Sequence, residues 1–293
     1  MSPTPKVSVV VPHYRDLTGL DICLTALGRQ TWPAADFEIV VADNASPEGE
    51  AAVAKVIAGR ARLVVVEAKG AAPARNGGVA AARGEILAFT DSDCQPSPEW
   101  LAEGLAALAQ FDLVGGAMAV LVEDATHVTS AEAFERVFAF DNAAYVRDKA
   151  FTVTANLFCP RALFDRVGGF RTGVSEDLEW SHRARDAGYR IGYAPAAVVG
   201  HPARRTWAEL TTKWRRVDKE TFGLSSARPG GRLKWLLRAL ALPVSALVHT
   251  PKVLASRQLS RMGERLGAIV ILFRLRTWRA FDCLGLLFAS RPD

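Results

Sequence analysis

The sequence predicts an α/β fold with a doubly wound, mostly parallel sheet, helices on both of its faces and a C-terminal helical tail. Two observations carry this prediction. Runs rich in β-branched residues alternate with helical stretches through the first third of the chain, which is the pattern of a parallel sheet. Each run is nearly continuous in apolar residues, as strands are when helices cover both faces of the sheet.

The alternation defines four strands and three helices. The strands are predicted within residues 7–12, 37–44, 61–68 and 85–93, and the helices within residues 20–30, 48–60 and 74–84. Because a helix lies between each pair of consecutive strands, the connections are crossovers and the strands run parallel.

The pattern changes after residue 110. Residues 111–122 have the character of one more pair of strands, 131–146 of a helix, and 150–170 of a strand that leads into a short helix. A further helical stretch begins at Glu176 and Asp177. Acidic residues in a first turn interact favourably with the helix dipole, and this interaction alone is a sufficient explanation for the pair.

Composition restricts the class of protein. The chain has 293 residues, 49% of them hydrophobic, enough for one large or two small domains. Its four cysteines show no C-x-x-C spacing, which favours a reducing compartment and argues against a structural zinc site. The apolar run at residues 7–12 is too short for a signal peptide or a membrane span. We therefore expect a cytoplasmic protein.

Charge is divided unevenly along the chain. Residues 1–200 carry 18 basic and 25 acidic side chains, a net charge of −7, whereas residues 201–293 carry 18 and 6, a net charge of +12. This asymmetry predicts that the basic C-terminal part meets an anionic partner, either nucleic acid or a membrane.

Polar residues follow three of the predicted strands. They are, in chain order, Pro12, His13, Tyr14, Asp43, Asp91 and Asp93. The carboxyl ends of parallel strands share one edge of the sheet, where open α/β sheets bind ligands. Asp91 and Asp93 are two residues apart and face the same side of an extended chain, so they suit a bound cation. A solvated strand end is the simpler alternative for this pair, and a turn or helix cap for Asp43.

Five segments of the chain match, in order, those of a known family. They are "VSVVVPHYRD", "EIVVADNAS", "ARNGGVAAARGEILAFTDSDC", "TANLFCPRALFDRVGGF" and "SEDLEWSHRARDAGYRIGYAPAAVVGH", which together lie within about residues 6–201. The chain resembles the inverting family 2 glycosyltransferases, which have the Rossmann-like GT-A fold. The resemblance implies a nucleotide-sugar donor, a divalent metal ion and transfer of a sugar to an acceptor hydroxyl.

The resemblance also implies a metal site. Asp91 and Asp93 match the family's D-x-D pair. Asp93 is implied to be the more direct metal ligand. For Asp91, the alternative to binding the metal is binding the ribose or a metal-bound water. His201 matches a histidine that completes the metal site in some relatives, although a polar strand terminus is an equal alternative. Oxygen ligands together with phosphate favour Mn²⁺ or Mg²⁺ over zinc.

Other matched positions are implied to bind the donor. Asp43 matches a residue that hydrogen-bonds the base, and Pro12, His13 and Tyr14 match the loop beneath the base and ribose. Arg75 matches a basic residue that approaches the nucleotide.

Two further positions are implied to lie near the sugar and the diphosphate. Asn156 matches a residue that lines the sugar pocket. Arg204, with Arg205 and Lys213 as alternatives, follows His201 and is placed to contact the diphosphate, because guanidinium groups suit phosphate geometry. A solvated helix face is the alternative explanation of this basic run.

The resemblance assigns the catalytic acids. Inversion at the anomeric carbon needs a base that takes the proton of the acceptor hydroxyl, and a carboxylate can serve. In the family's E-D motif the second acid is that base, which implies Asp177, and Glu176 then orients it or touches the acceptor. The processive members carry a Q-x-x-R-W motif that this chain lacks, so we expect transfer of one sugar per encounter.

The tail, residues 226–293, lies outside the matched segments, so we predict a catalytic domain at 1–225 and a separate tail. Its apolar runs are interrupted by charged residues and are too short for a membrane span. At 100° per residue, Arg261, Arg265, Arg276, Arg279 and Asp282 share one arc of a helix and Leu266, Val270, Phe273, Phe281, Leu284 and Phe288 lie roughly opposite, with Arg274 as the exception. This pattern predicts an interfacial helix, and a helix packed on protein is the alternative.

These inferences converge on a peripheral protein of the inner face of the plasma membrane. We expect no nucleic-acid partner and a lipid-linked or cell-envelope glycoconjugate as the acceptor. The sequence leaves the sugar, the nucleotide and the oligomeric state open. The rival classes are a phosphotransferase with an Asp nucleophile, a sugar-nucleotidyl transferase, and a scaffold protein that binds nucleotide sugars without catalysis.

Overall fold

The computed structural model describes residues 5–288, which form two units. Within this range the first unit comprises residues 5–119, 140–172 and 176–201, and the second comprises residues 120–139, 173–175 and 202–288. The second unit therefore includes residues that precede the predicted tail.

The strands and helices alternate through the first unit. The strands are β1 (Val7–His13), β2 (Phe37–Asp43), β3 (Arg62–Val65), β4 (Ile86–Phe89), β5 (Gln95–Pro96), β6 (Leu113–Leu121), β7 (Leu157–Pro160) and β8 (Ile191–Pro202). The helices are α1 (Leu17–Leu27), α2 (Glu50–Ile57), α3 (Ala71–Ala81), α4 (Trp100–Ala107), α5 (Ser130–Phe138), α6 (Asn142–Lys149), α7 (Arg161–Val167), α8 (Glu176–Asp186), α9 (Trp207–Ser226), α10 (Gly231–Leu254) and α11 (Met262–Phe288). Short 3-10 turns lie at Ala34–Asp36 and Thr154–Asn156.

The eight strands form one sheet in the order β3-β2-β1-β4-β7-β6-β8-β5. β1 pairs in parallel with β2 and β4, and β2 pairs in parallel with β3. β7 is antiparallel to both of its neighbours, so β4 and β6 on either side of it run in the same direction. The predicted α/β fold with a mostly parallel sheet is confirmed.

Helices cover both faces of the sheet. Val9 and Val11 of β1 pack with buried residues of α1, α2 and α4, whereas Val10 packs with α3, α7 and α8. All three valines are fully buried. This alternation along one strand explains why the sequence shows an uninterrupted apolar run rather than a period of two.

Two predicted elements differ from the structure. Residues 111–122 form the single strand β6 and not a pair, because Gly115 and Gly116 continue the strand instead of turning it. A Cβ on Gly116 would lie 2.2 Å from the carbonyl oxygen of Ala197, so the glycine allows a close approach of two backbones. The helix predicted at 131–146 is two helices, α5 and α6. They are separated at Phe140, which has a left-handed φ of 53°, and Asp141 caps α6 through the amide of Ala144.

The second unit is helical. Its largest core consists of buried residues of α5, α9, α10 and α11, among them Phe134, Leu210, Ala246 and Leu272. α10 continues through Pro243. No helix within residues 5–288 is both long enough and apolar enough to cross a membrane.

Two arginines of the predicted basic arc of α11 are bound by oxygen atoms of the same unit. Arg279 is 2% exposed and donates two hydrogen bonds to Asp218, at 2.9 and 2.6 Å. Arg265 donates to backbone carbonyl oxygens at the end of α10 and in the following turn. The apolar residues on the other side of α11, such as Leu266 and Phe281, are exposed instead.

Candidate active site

The polar strand ends predicted from the sequence lie at the same edge of the sheet. His13 ends β1, Asp43 ends β2, and the two residues are direct partners in the parallel register. β4 ends at Phe89, and Asp91 and Asp93 follow it. The parallel strands therefore bring His13, Asp43 and the D-x-D pair together, as the strand order β2-β1-β4 requires.

Asp43 is held by hydrogen bonds from three groups. Its carboxylate accepts from the Nδ1 of His13 at 2.9 Å, from the hydroxyl of Ser46 at 2.5 Å and from the amide of Ser46 at 3.0 Å. Burial pushes the pKa of Asp43 upward, but the bonds from Ser46 and His13 outweigh it and the pKa is lowered. His13 and Asp43 are each 1% exposed. The pair thus fixes the geometry of the first two strand ends.

Tyr14 is the exposed member of the first motif. Its side chain is 48% exposed, and the cationic groups of Arg15 and Lys69 each lie 5.5 Å from the centre of its ring. Pro12 is half-buried beneath this turn. An exposed aromatic face flanked by two cations suits stacking of a planar base and attraction of an anion.

Arg75 connects the D-x-D and E-D motifs. Its side chain, which is almost fully buried, donates to Asp91 at 2.5 Å and to Glu176. Burial disfavours the charged guanidinium, but Asp91, Glu176 and Asp177 outweigh that effect and raise its pKa. Arg75 therefore keeps its charge and holds two acids that are far apart in the sequence.

Asp177 is bound on one side by Thr154. Its Oδ1 accepts from the hydroxyl of Thr154 at 2.7 Å and from the amide of the same residue at 3.1 Å. Burial raises the pKa of Asp177 above the ordinary value, and the charge of Arg75 and the bonds from Thr154 offset part of this increase. A carboxyl with a raised pKa is a stronger base than an ordinary aspartate once it is ionised.

A group of potential metal ligands lies beside these acids. One ligand atom from each of Asp93, Cys94 and His201 lies within 4.8 Å of the other two. The Nε2 of His201 is 3.6 Å from a carboxylate oxygen of Asp93, and the ring of Phe140 packs against the imidazole. Asp91 is not in this group.

The chemistry of this donor set fits a divalent cation. Burial, with the charges of Asp91 and Asp93, raises the pKa of the Cys94 thiol well above its usual range, which favours Asp93 and His201 over Cys94 as ligands. A carboxylate and an imidazole can together hold a divalent cation and leave positions for phosphate oxygens. Burial also raises the pKa of Asp93, with Asp91 adding to the shift and His201 opposing it, and a cation would remove this unfavourable charge from the pair of acids.

Two predicted residues make other contacts. Asn156 is fully buried; its amide donates to the carbonyl oxygens of Ala117 and Ala197 and accepts from Trp100. Both N–H groups of the side-chain amide are therefore occupied, and none is left for a sugar. Instead, they bind the backbones of β6 and β8. Arg204 belongs to the second unit, where it pairs with Glu135 at 3.1 Å.

Ser46 and Thr154 were not predicted from the sequence, yet they donate hydrogen bonds to Asp43 and Asp177. Ser46 follows Asp43 by three residues, a spacing that predicts a side-chain turn. For Thr154 no local signal exists, because its partner is 23 residues away.

In this site, acids at the carboxyl edge of an α/β sheet lie beside a second pair of acids, Glu176 and Asp177, at the start of a helix. The fold and this arrangement of acids are those of an enzyme. Residues 8–174 match the family model described as glycosyl transferase family 2. The chain is 33% identical over 229 residues to the glycosyltransferase AglE of Haloferax volcanii, covering 74% of this chain and 73% of AglE. It is 28% identical over 290 residues to the pre-mycofactocin glycosyltransferase of Mycobacterium tuberculosis, covering 87% and 57% of the two chains.

A solved structure has the same fold. The mannosyltransferase PcManGT from Pyrobaculum calidifontis, in complex with GDP-Man and Mn²⁺, superimposes with a TM-score of 0.59 at 23% identity and covers 97% of this chain and 86% of its own. The protein belongs to glycosyl transferase family 2, and it is a glycosyltransferase with a GT-A fold.

Proposed function

We propose that this protein is a metal-dependent, inverting glycosyltransferase that moves one sugar from a nucleotide-diphosphate donor to an acceptor hydroxyl. Residues 1–225 would carry the catalytic function and residues 226–293 would bring the protein to the inner face of the plasma membrane. The acceptor would be a lipid-linked or cell-envelope glycoconjugate.

The contacts of Asp177 carry the proposal. Thr154 binds one carboxylate oxygen of Asp177 twice, and Oδ2 makes no hydrogen bond within residues 5–288. Asp177 is half-buried beside Arg75. A carboxylate that is fixed on one side can accept the proton of the acceptor hydroxyl on the other. Glu176, which Arg75 binds, would orient the acceptor.

The donor would lie at the carboxyl edge of the sheet. Tyr14 would stack on the base, with Lys69 and Arg15 beside it, and His13 and Asp43 would shape the pocket beneath the base and ribose. Asp93 and His201 would hold the divalent metal ion, with Asp91 held close by Arg75. When bound, the ion would neutralise the diphosphate as it leaves. PcManGT, which shares the fold, was solved with GDP-Man and Mn²⁺, and this supports a nucleotide sugar with a divalent ion.

The decisive experiment is the Asp177→Asn variant. Asparagine keeps the shape and can still accept from Thr154, but it cannot take a proton. We expect turnover to fall by about 10²–10⁴-fold, the usual contribution of general-base catalysis, with donor affinity nearly unchanged. Asp186→Asn is the matched control, because Asp186 is exposed on the same helix and pairs only with its neighbour Arg185 among the described residues. A loss of donor binding in Asp177→Asn would instead place Asp177 among the groups that hold the donor.

Membrane association is supported by the surface of α10. Its exposed residues Leu233, Leu237, Leu240, Val244 and Leu247 recur every three or four positions, so they form one continuous apolar face. Twelve of the fifteen large hydrophobic residues that are exposed within residues 5–288 lie between positions 233 and 288. Such a concentration of apolar surface in a basic segment is the character of an interfacial helix.

A further inference from the structure

The second unit contains an open aromatic cleft. Its volume is about 490 Å³, and it is lined by Trp207, Phe273, Arg274, Thr277, Trp278 and Phe281. Trp207 is the first residue of α9, and the other five residues lie on two turns of α11. The glycosyltransferase site described above uses none of them.

Cations stack on the two indole rings of the cleft. The rings of Trp207 and Trp278 meet edge to face, with their centres 6.2 Å apart. The guanidinium of Arg274 lies 4.0 Å from the centre of Trp207, and that of Arg215 lies 5.3 Å from the centre of Trp278. This stacking holds the guanidinium of Arg274 in a fixed place while leaving its N–H groups free to bind an anion.

Arg274 differs from Arg279 and Arg215 in its pairing. Arg279 is bound to Asp218, and Arg215 lies 3.2 Å from Asp282. No carboxylate within residues 5–288 lies within ion-pair distance of Arg274. Its charge is therefore available to a ligand.

The surroundings of Arg274 are apolar. On the same exposed face of α11, Val270 is 62% exposed and Phe281 is 71% exposed. If an apolar surface covered this face, an unpaired cation in its centre would be costly to desolvate. An amphiphile that carries a phosphate beside its apolar chains would satisfy both the guanidinium and the aromatic residues. A purely apolar protein surface would satisfy only the latter.

We propose that this cleft binds the phosphate of an anionic phospholipid in a bilayer. Arg274 donates to the phosphate oxygens, and Phe273 and Phe281 contact the first segment of an acyl chain. The net positive charge of residues 201–293 complements an anionic leaflet. The inference rests on the membrane association proposed above and adds a specific lipid site to it.

The test measures the affinity of the full-length protein for phosphatidylcholine vesicles with and without phosphatidylglycerol. Arg274→Gln removes the proposed phosphate ligand, and Arg257→Gln is the matched control, because Arg257 is an exposed arginine of the same unit outside the cleft. A charge-assisted hydrogen bond predicts a loss of about tenfold or more for Arg274→Gln on anionic vesicles. Loss of one basic charge near the surface predicts about fivefold or less for Arg257→Gln. Brominated phosphatidylglycerol should quench Trp207 and Trp278 in the wild type and less in Arg274→Gln.

The outcomes separate this inference from the proposals that precede it. If the wild type binds anionic vesicles but the two variants weaken binding equally, the cleft is not a phosphate site, although the membrane association stands. If the wild type binds no vesicles, both the cleft and the membrane association are overturned. Slow release of nucleotide from the donor, measured without vesicles, reports on the catalytic proposal alone and should be equal in all three proteins.

Discussion

Arg75 lies 2.5 Å from Asp91 and binds Glu176 with the same guanidinium group. Asp91 follows β4, whereas Glu176 begins α8, so one buried cation joins the motif proposed to hold the donor to the motif proposed to activate the acceptor. The planar fork of arginine can bind two carboxylates at once, which the single ammonium of lysine does less well. We therefore propose that Arg75 positions both motifs.

Arg75→Lys should separate charge from geometry. Lysine keeps the positive charge but loses the fork, and we expect a decrease in turnover of about 10- to 100-fold from the lost charge-assisted hydrogen bonds. Steady-state kinetics with varied donor and varied acceptor will show whether both substrates are affected. Arg83→Lys, at an exposed arginine that pairs with Glu38, is the control. Unchanged kinetics in Arg75→Lys would mean that the charge alone is sufficient.

The hydroxyl of Thr154 should influence the pKa of Asp177 and therefore the acid limb of the pH profile of kcat/KM. Asp177 acts as a base only when ionised, so kcat/KM should fall as the pH decreases through its pKa, which burial places above the ordinary aspartate range. Thr154→Val removes a hydrogen bond to the ionised form, and the limb should move upward by roughly 1 pH unit. Thr154→Ser keeps the hydroxyl and should restore the wild-type profile. A limb that moves downward in Thr154→Val would assign it to another group.

Mn²⁺ should stabilise the protein against heat through Asp93. Asp93→Asn weakens the ligand without changing its size, so the increase in Tm that Mn²⁺ gives the wild type should be lost, together with activity. Asp36→Asn, at an exposed aspartate in a 3-10 turn, is the control and should keep both properties. Full activity of the wild type in excess EDTA would contradict the metal dependence.

The apolar face of α10 should contribute to vesicle binding independently of salt. Leu237→Gln with Val244→Gln makes that face polar, and co-sedimentation with vesicles should decrease at low and high salt alike, because screening does not affect apolar burial. Ile22→Gln with Val65→Gln makes the same change at exposed apolar residues of the first unit and should have no effect. Equal sedimentation of the two double variants would indicate that α10 packs against protein.

The sequence predicted the first unit better than the second. β1, β2 and β4 are short apolar runs followed by polar residues, and because parallel strands share one edge, the positions of His13, Asp43 and Asp91 followed from the strand order. Helical periodicity also placed α11 correctly, yet it could not say which side of the helix faces the protein. That depended on Asp218 of α9, whose carboxylate binds Arg279 across 61 residues of sequence. An ion pair between residues far apart in the sequence leaves no periodic pattern from which it could be predicted.

The short helix α5 lies near the middle of the chain, but the partners of its core belong to the last third. Phe134 and Ala133 pack with residues of α10 and α11, which end at position 288. At ribosomal speeds of about 5–20 residues per second, the last of these partners is made roughly 7–30 s after α5. Until then the apolar side of α5 is only partly covered by its own unit, and a molecular chaperone can bind it. Newly made chains should therefore depend more on chaperones than their final stability suggests.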